Sequence, residues 1–250
     1  MLFRSKLKEK NGDEFSTYDE MMNKNSSDDH LFGVFGVSHS LFFSENTVLN
    51  SRLGFTGARN TLEVDTILSP DKMIQDTKTT EMKYIVSSKL LHKFDSQNRI
   101  TAGFTANFIS FDYLDSLLRP GAAQFIVQTD LAGSTALTNG FVEYCHRFSD
   151  ELAATVGLHV SYLELNNSFA AEPRADVRWK MNETSSLSFA AGLHSQAQPF
   201  LFYLYKNQSG SQSGENTNKN LGFSRSAQAV IGYENQLTDK LRFKAEGYFQ

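Results

Sequence analysis

The sequence is poor in the features that identify disulfide-rich folds and most nucleic-acid-binding proteins. Its 250 residues include 1 cysteine, so no internal disulfide can form, and only 4 prolines. Acidic and basic residues nearly balance, 28 against 24, which gives a formal net charge of -4. Without a basic excess, or a lysine and arginine cluster along an aromatic stripe, the composition argues against nucleic-acid binding.

Long apolar runs are also missing. Uninterrupted apolar stretches fall far short of the roughly 20 residues that a membrane-spanning helix needs. The first ten residues show neither the apolar core nor the small-residue cleavage site of a secretory signal. The hydrophobic fraction of 40% and the charged fraction of 21% are nevertheless close to the globular average, so disorder is not predicted.

Apolar and polar residues instead alternate with a period of two. In residues 151–162, Leu152, Val156 and Leu158 fall on one side of the chain while Glu151 and His159 fall on the other. This is the periodicity of a β-strand. The same alternation recurs at 99–108, 174–181, 186–194 and 240–250, and less regularly near 31–43, 47–59, 81–94, 135–148 and 222–236. The pattern predicts about ten strands, most of roughly 10 to 14 residues.

Two kinds of connection alternate between these strands, with one exception: the link near 166–170 is short where a long one is expected. Tight polar turns, rich in the Asn, Asp and Ser that turns prefer, are predicted at 44–46, 95–98, 149–150, 182–185 and 237–239. Long connections are predicted at about 60–80, 115–134 and 197–221. The last contains a low-complexity Ser, Asn and Gly run and is expected to be mobile, because it has few apolar residues to bury.

This arrangement predicts an all-β fold, an antiparallel up-and-down meander that forms part of a larger transmembrane β-barrel. Alternate connections of a meander lie at the same end of the sheet, so short turns and long loops separate as they do in outer-membrane barrels. Aromatic residues gather beside the short turns, as in an interfacial girdle: Phe42, Phe43, Phe94, Phe148, Trp179 and Phe243. Two alternatives are a small closed outer-membrane barrel, acting as an adhesin or enzyme, and a soluble carbohydrate-binding β-sandwich.

The second half of the chain resembles a known family. An ordered series of segments carries the resemblance: 172–179 (EPRADVRW), 186–196 (SLSFAAGLHSQ), 220–224 (NLGFS), 230–233 (VIGY) and 241–250 (LRFKAEGYFQ). It resembles the barrel of TonB-dependent outer-membrane receptors, especially those of Bacteroidetes, strongly in this half and only in pattern in the first. The resemblance implies a barrel of about 22 strands. It also implies an N-terminal plug, of which this chain shows no recognisable part.

On this resemblance, residues 1–30 are expected to form an extracellular loop region of a preceding hairpin, and residues 31–250 a partial outer-membrane β-barrel domain without its plug. The implied function is import of a scarce solute, a metal chelate, vitamin or glycan, across the outer membrane of a Gram-negative bacterium. The implied partners are outer-membrane lipid, the solute, and the TonB-ExbB-ExbD complex reached through the plug. If the tight turns are periplasmic, both chain ends point outward, so the sequence is expected to be a piece of a longer protein.

No catalytic motif is present, and the sequence predicts neither an enzyme nor a cofactor. The six histidines lack the spacing of metal ligands, so no metal site is predicted. Cys145 is expected to be a buried or lipid-facing thiol.

Function is instead sought on the polar face of the strands, which is either the lumen lining of a barrel or simply the solvated side of a sheet. Candidates for contact with the lumen or the plug are Arg174, Asp176, Arg178, Arg242 and Glu246. Candidates for a ligand-binding outer rim are His194, Gln196 and Gln198.

Overall fold

The computed structural model describes residues 2–10, 24–66, 72–119, 121–204 and 218–250. Within them the chain is almost entirely β-structure, with one short helix, α1 (Phe200–Tyr203), and a single 3-10 turn at Glu164–Asn166. The strands are β1 (Leu2–Lys10), β2 (Lys24–Ser44), β3 (Thr47–Thr66), β4 (Lys72–Lys93), β5 (Asn98–Leu117), β6 (Ile126–Arg147), β7 (Leu152–Leu163), β8 (Ser168–Lys180), β9 (Ser185–Gln196), β10 (Ser224–Thr238) and β11 (Leu241–Phe249).

All of these strands belong to one antiparallel sheet, in which strands adjacent in sequence are adjacent in space from β1 to β11. The predicted all-β, up-and-down meander is therefore confirmed. A sandwich would require two sheets packed face to face, whereas the described residues form one. No helix in the described part of the chain combines the length and apolar character needed to cross a bilayer.

The first 30 residues contain more strand than the sequence predicted. β1 pairs with β2 in a regular ladder from Leu2 opposite Gly33 to Lys10 opposite Asn25. On this hairpin Arg4 Nη2 lies 2.6 Å from Asp29 Oδ2. The sequence did not predict this strand because few apolar residues stand among the charged residues of the segment, so the apolar alternation is weak there. The additional strand accounts for eleven strands instead of about ten. Residues 11–23 lie outside the described part.

Two of the predicted long connections are partly strand. β3 continues to Thr66 and β4 begins at Lys72, within the connection expected at 60–80. Likewise, β5 ends at Leu117 and β6 begins at Ile126. β3 to β6 are consequently 20 to 22 residues long, well beyond the predicted 10 to 14, and β2 is 21 residues long because it extends into the hairpin with β1. Polar cross-strand contacts hold these extensions together, such as Thr77 Oγ1 donating to Asp115 Oδ1 at 2.6 Å.

The predicted tight turns are confirmed, and short polar side chains build them. Asp95 Oδ1 accepts hydrogen bonds from the backbone N–H groups of Gln97 and Asn98, both at 2.7 Å. The hydrogen bond from the Asn98 side chain, followed by those from the backbone, holds the pKa of Asp95 below its ordinary value. Asn182 Oδ1 accepts the N–H of Ser185 at 2.8 Å in the β8–β9 turn. Each of these side chains satisfies backbone donors that the turn leaves without a ladder partner.

The chain divides into two compact units. The first comprises Met1–Val37, Leu53–Ile85 and Phe108–Thr135. Its buried apolar side chains are Val64, Ile109, Phe111, Tyr113, Leu118 and Leu131. The ring of Phe111 lies over Gly133, where a Cβ would come within 2.9 Å of it. This unit therefore has a small apolar core of its own.

The second unit comprises Ser38–Arg52, Val86–Asn107 and Ala136–Gln250. Its few buried side chains lie on β7 to β9 and α1: Ser161, Leu163, Ala170, Glu172, Ser185 and Tyr203. Most of its large apolar side chains are instead exposed, including Val156 at 55% and Phe189 at 51%. This unit is a single layer whose apolar surface is not covered by the rest of the unit.

Candidate functional site

The strands β6 to β11 of the second unit carry one continuous apolar face. Residues directly opposite each other in an antiparallel ladder project from the same face, so the register identifies the members of each face. Three rows run across these strands: Tyr144, Val156, Ala175, Ala191, Ala229 and Phe249; His146, Ala154, Val177, Phe189, Ile231 and Gly247; and Leu152, Trp179, Leu187, Tyr233 and Ala245. An exposed apolar surface this extensive is exceptional for a soluble monomer.

The opposite face of the same strands is polar and charged. Its rows are Glu143, Gly157, Arg174, Gly192 and Gln228; Cys145, Thr155, Asp176, Ala190, Val230 and Tyr248; Arg147, Ala153, Arg178, Ser188, Gly232 and Glu246; and Lys180, Ser186, Glu234 and Lys244. We call this set the polar face. It brings together Arg174, Asp176, Arg178 and Glu246. Arg242 joins them through its ion pair with Glu234.

The structure corrects the expectation for Cys145. The thiol was predicted to be buried or lipid-facing, but Cys145 lies directly opposite Thr155 in the β6–β7 ladder and is half-buried. It therefore belongs to the polar face. Cys145 lies between Tyr144 and His146, which both point to the apolar face. Because none of these three residues is clearly polar or clearly aliphatic, the sequence shows no alternation there and did not reveal the face of Cys145.

Charged side chains of the polar face lie over small residues on the neighbouring strands. Arg174 is opposite Gly157 on one side and Gly192 on the other. A Cβ at Gly192 would lie 2.9 Å from Arg174 Cγ, and one at Gly157 would lie 3.0 Å from Glu143 Cγ. The glycines thus provide the room that the long charged side chains occupy.

Glu172 is the most buried charged group of this face, with 2% of its surface exposed. Its Oε2 accepts a hydrogen bond from Arg174 Nη2 at 2.5 Å and lies 3.2 Å from His159 Nδ1. Its Oε1 accepts a hydrogen bond from Ser195 Oγ. The Arg174 guanidinium and the Ser195 hydroxyl compensate the burial of this carboxylate. The sequence analysis did not select Glu172 as a candidate. The only feature of the sequence that pointed to it is that it begins the Glu-Pro-Arg segment at 172–174.

Ion pairing differs among the predicted lumen-facing residues. Arg242 pairs with Glu234, and Glu246 Oε1 lies 2.7 Å from Lys244 Nζ. Among the described residues, the side chains of Asp176 and Arg178 form no ion pair. Arg178 contributes to a concavity of about 490 Å³ beside the turns, together with Arg147, Lys180 and Glu234, and Asp176 lines a second of about 240 Å³ with His194. The side chains of Asp176 and Arg178 are therefore available to a binding partner.

The three predicted rim residues have different environments. His194 lies opposite Ser226 and Gln196 opposite Ser224, both in the β9–β10 ladder. Gln198 already has structural contacts, because its backbone N–H donates to Tyr203 Oη at 3.0 Å and its side chain donates to Ser224 Oγ. His194 and Gln196 therefore remain candidates for ligand contact, whereas Gln198 helps to hold the connection that follows β9.

The ends of the connection between β9 and β10 are fixed, although the whole segment 197–221 was expected to be mobile. Tyr203 has 0% of its surface exposed. At the far end, Asn166 Nδ2 donates to the backbone oxygens of Lys219 at 3.0 Å and Leu221 at 2.7 Å. Residues 205–217, which contain most of the low-complexity run at 207–220, lie outside the described part. Across the described residues, no group of three or more His, Cys, Asp or Glu side chains is placed to hold a metal ion.

Comparison with known proteins gives a structural match and no sequence match. No family model and no curated protein matches the sequence. Among solved structures, the RagAB peptide importer has a TM-score of 0.66 at 10% identity, with 90% of this chain and 30% of that chain covered. The ferric preacinetobactin receptor BauA from Acinetobacter baumannii has a TM-score of 0.62 at 13% identity, covering 90% and 37%.

The copper transporter OprC has a TM-score of 0.59 at 12% identity, covering 90% of this chain and 39% of that chain. The chain thus spans only about a third of the length of the proteins it matches. All three are TonB-dependent receptors or their complexes. The chain has the fold of a part of the β-barrel of TonB-dependent receptors.

Proposed function

We propose that the chain is part of the barrel wall of a TonB-dependent importer in the outer membrane of a Gram-negative bacterium. The observation that carries this proposal is the separation of faces on β6 to β11. An apolar face, with Val156, Phe189 and Ile231 each more than half exposed, lies opposite a face rich in paired and unpaired charges. A membrane barrel needs both, because its outer surface contacts lipid and its lumen contacts water.

In this proposal the tight turns are periplasmic and the long connections are extracellular. Phe148, Trp179 and Phe243 are exposed close to the turns, where the aromatic girdle of a barrel meets the lipid headgroups. Residues 31–250 form the partial barrel domain, and residues 1–30, including β1, belong to an extracellular hairpin region. Other strands and a plug belong to the rest of the importer.

The polar face is proposed to line the lumen. Arg174, Asp176, Arg178, Arg242 and Glu246 would then face the plug, through which the TonB-ExbB-ExbD complex delivers energy. His194 and Gln196 lie farthest from the tight turns and would face the entering solute. The exposed guanidinium of Arg178 and carboxylate of Asp176 are the groups best able to form new ion pairs with such a partner.

The solute is proposed to be scarce: a metal chelate, a vitamin or a glycan. The structural neighbours are named for a peptide, a ferric siderophore and copper. These names span several chemical classes on the same fold, so they support uptake more strongly than any one solute.

The proposal is tested by locating the full-length protein and measuring energised uptake. We expect the protein in the outer-membrane fraction, and we expect a deletion strain to lose growth on one limiting solute among peptides, chelated metals, vitamins and glycans. Uptake should stop in a strain lacking TonB and return when TonB is restored. Recovery of the protein in a soluble fraction, or uptake that persists without TonB, would reject the proposed importer.

A further inference from the structure

The ladder between β8 and β9 ends before the strands do. It runs from Lys180 opposite Ser186 to Arg174 opposite Gly192, while β9 stays paired with β10 up to Gln196 opposite Ser224. The residue before Arg174 is Pro173, which has no N–H to donate to a ladder. Beyond this point the outer end of β9 lacks the backbone hydrogen bonds that fix its inner end to β8.

Glu172 bridges the strands at this point. Its side chain contacts Ser195 on β9, Arg174 on its own strand and His159 on β7. The carboxylate is nearly inaccessible to solvent, with 2% exposure. Hydrogen bonds to a charged group in such a place are stronger than hydrogen bonds between neutral groups at a surface. One side chain thus connects the three strands where the ladder has stopped.

The connected part of β9 leads directly into the stem of the outer connection. Ser195 is followed by Gln196 and Gln198, and the stem then reaches α1 and the fully buried Tyr203. Gln198 contacts both Tyr203 and Ser224. Because the chain is continuous and these contacts are close together, a shift of Ser195 would displace the stem and the predicted rim residues with it.

We propose that Glu172 is a positioning residue that fixes the outer end of β9 and, through it, the stem at residues 197–204 and the rim residues His194 and Gln196. The inference deepens the proposed function, since it assigns the control of the rim to a residue that does not itself face the solute. Only the role of these rim residues in solute uptake rests on the proposed importer function. The contact between Glu172 and Ser195 is independent of it.

The test measures how often the stem opens. Purified full-length protein carrying Glu172→Ala, Ser195→Ala or both is digested with a broad-specificity protease, and cleavage sites are mapped by mass spectrometry. Cleavage within 197–204 should be at least about fivefold faster in each single variant, because cleavage follows the population of the open form. The double variant should be no faster than Glu172→Ala, since both changes break the same contact.

Two further variants separate positioning from general stability. Glu172→Gln should restore most of the protection, because an amide can accept from Arg174 and donate to the Ser195 hydroxyl, which also accepts hydrogen bonds. The matched control Glu246→Ala removes a carboxylate of the same face that is half-exposed and paired with Lys244, and it should leave the stem unchanged. Cleavage at the turn at 182–185 should not change in any of these variants.

Other outcomes overturn the inference. Unchanged cleavage of the stem in Ser195→Ala, additive effects in the double variant, or a parallel rise at the 182–185 turn would show that Glu172 only contributes to overall stability. A failure of this inference can also be distinguished from a failure of the proposed function. A failure of the importer proposal appears as the wrong cell fraction or TonB-independent uptake, neither of which changes the ratio of stem to turn cleavage.

Discussion

Arg174 and Gly192 lie directly opposite each other in the β8–β9 ladder, and the Arg174 side chain occupies the space where a Cβ of residue 192 would stand. That Cβ would be 2.9 Å from Arg174 Cγ and 3.3 Å from its Cα. The absence of a side chain at Gly192 therefore permits the conformation in which Arg174 reaches Glu172. Gly192 adds no side-chain packing to β9, but it allows the contact between Arg174 and Glu172 on β8.

The first prediction follows from this relationship. Gly192→Val should force Arg174 away from its position and destabilise the protein by about 1 to 3 kcal/mol, the usual range for overpacking. Gly222→Ala is the matched control, because a Cβ there would meet nothing within 4 Å. It should change the free energy of unfolding by less than about 0.5 kcal/mol. Urea unfolding of the full-length protein in lipid vesicles measures both, and equal effects would contradict the assigned register.

The second prediction concerns the two faces of β7. Leu158 lies on the apolar face, opposite Val142 and Pro173, and His159 lies on the polar face, opposite Glu172. If the apolar face contacts lipid, Leu158→Arg should cost roughly 2 to 4 kcal/mol near mid-strand, and His159→Arg should cost much less. The same unfolding measurement in lipid vesicles distinguishes them. Similar losses for the two variants would argue against a lipid-facing apolar surface.

The third prediction uses the single native cysteine as a reporter. Cys145 projects from the polar face, whereas Val156 projects from the apolar face. A fluorophore attached to Cys145 should be insensitive to a quencher carried on lipid chains. The same fluorophore at Val156→Cys, in a background with Cys145→Ala, should be strongly quenched. Strong lipid quenching at Cys145 would reverse the assignment of the faces.

The fourth prediction concerns α1, whose neighbouring residues Phe202 and Tyr203 differ greatly in burial. Phe202 is 58% exposed and Tyr203 is 0% exposed. Tyr203→Ala should open the stem at residues 197–204 at a cost of about 3 to 5 kcal/mol, the range for a buried aromatic residue truncated to alanine. Phe202→Ala should cost less than about 1 kcal/mol. Limited proteolysis with mass-spectrometric mapping reports the opening, and comparable cleavage in both variants would show that Tyr203 is not an anchor.

The parts of the fold that depend on local alternation were predicted correctly. The apolar assignment of Leu152, Val156, Leu158, Phe189 and Leu193 needed only the period of two, which follows from the geometry of a single strand. The tight turns also have a local cause, because Asp95 and Asn182 each bind backbone groups within three residues. The meander then follows, since short turns between long strands make neighbouring strands antiparallel.

The ends of the long strands were predicted less well, because the prediction depended on apolar alternation. In the outer part of β4, the polar residues Gln75 and Thr77 bind Asp115 on β5, and residues 72–80 show no apolar alternation. The buried end of the β9–β10 connection was missed because Tyr203 looks like any other aromatic residue of a polar loop. Its burial depends on how the connection folds back, which the local sequence does not specify.

The sequence by itself therefore determined that the chain forms antiparallel strands, which residues share a face within each strand, and where the short turns lie. Only the tertiary structure decided which residues of different strands meet, because that depends on register. Register places Arg174 between Gly157 and Gly192 and Glu172 opposite His159. A slip of one residue would exchange the two faces of a strand. The charged contacts of the polar face thus depend on pairing across the sheet, whereas the faces themselves depend on the geometry of each strand.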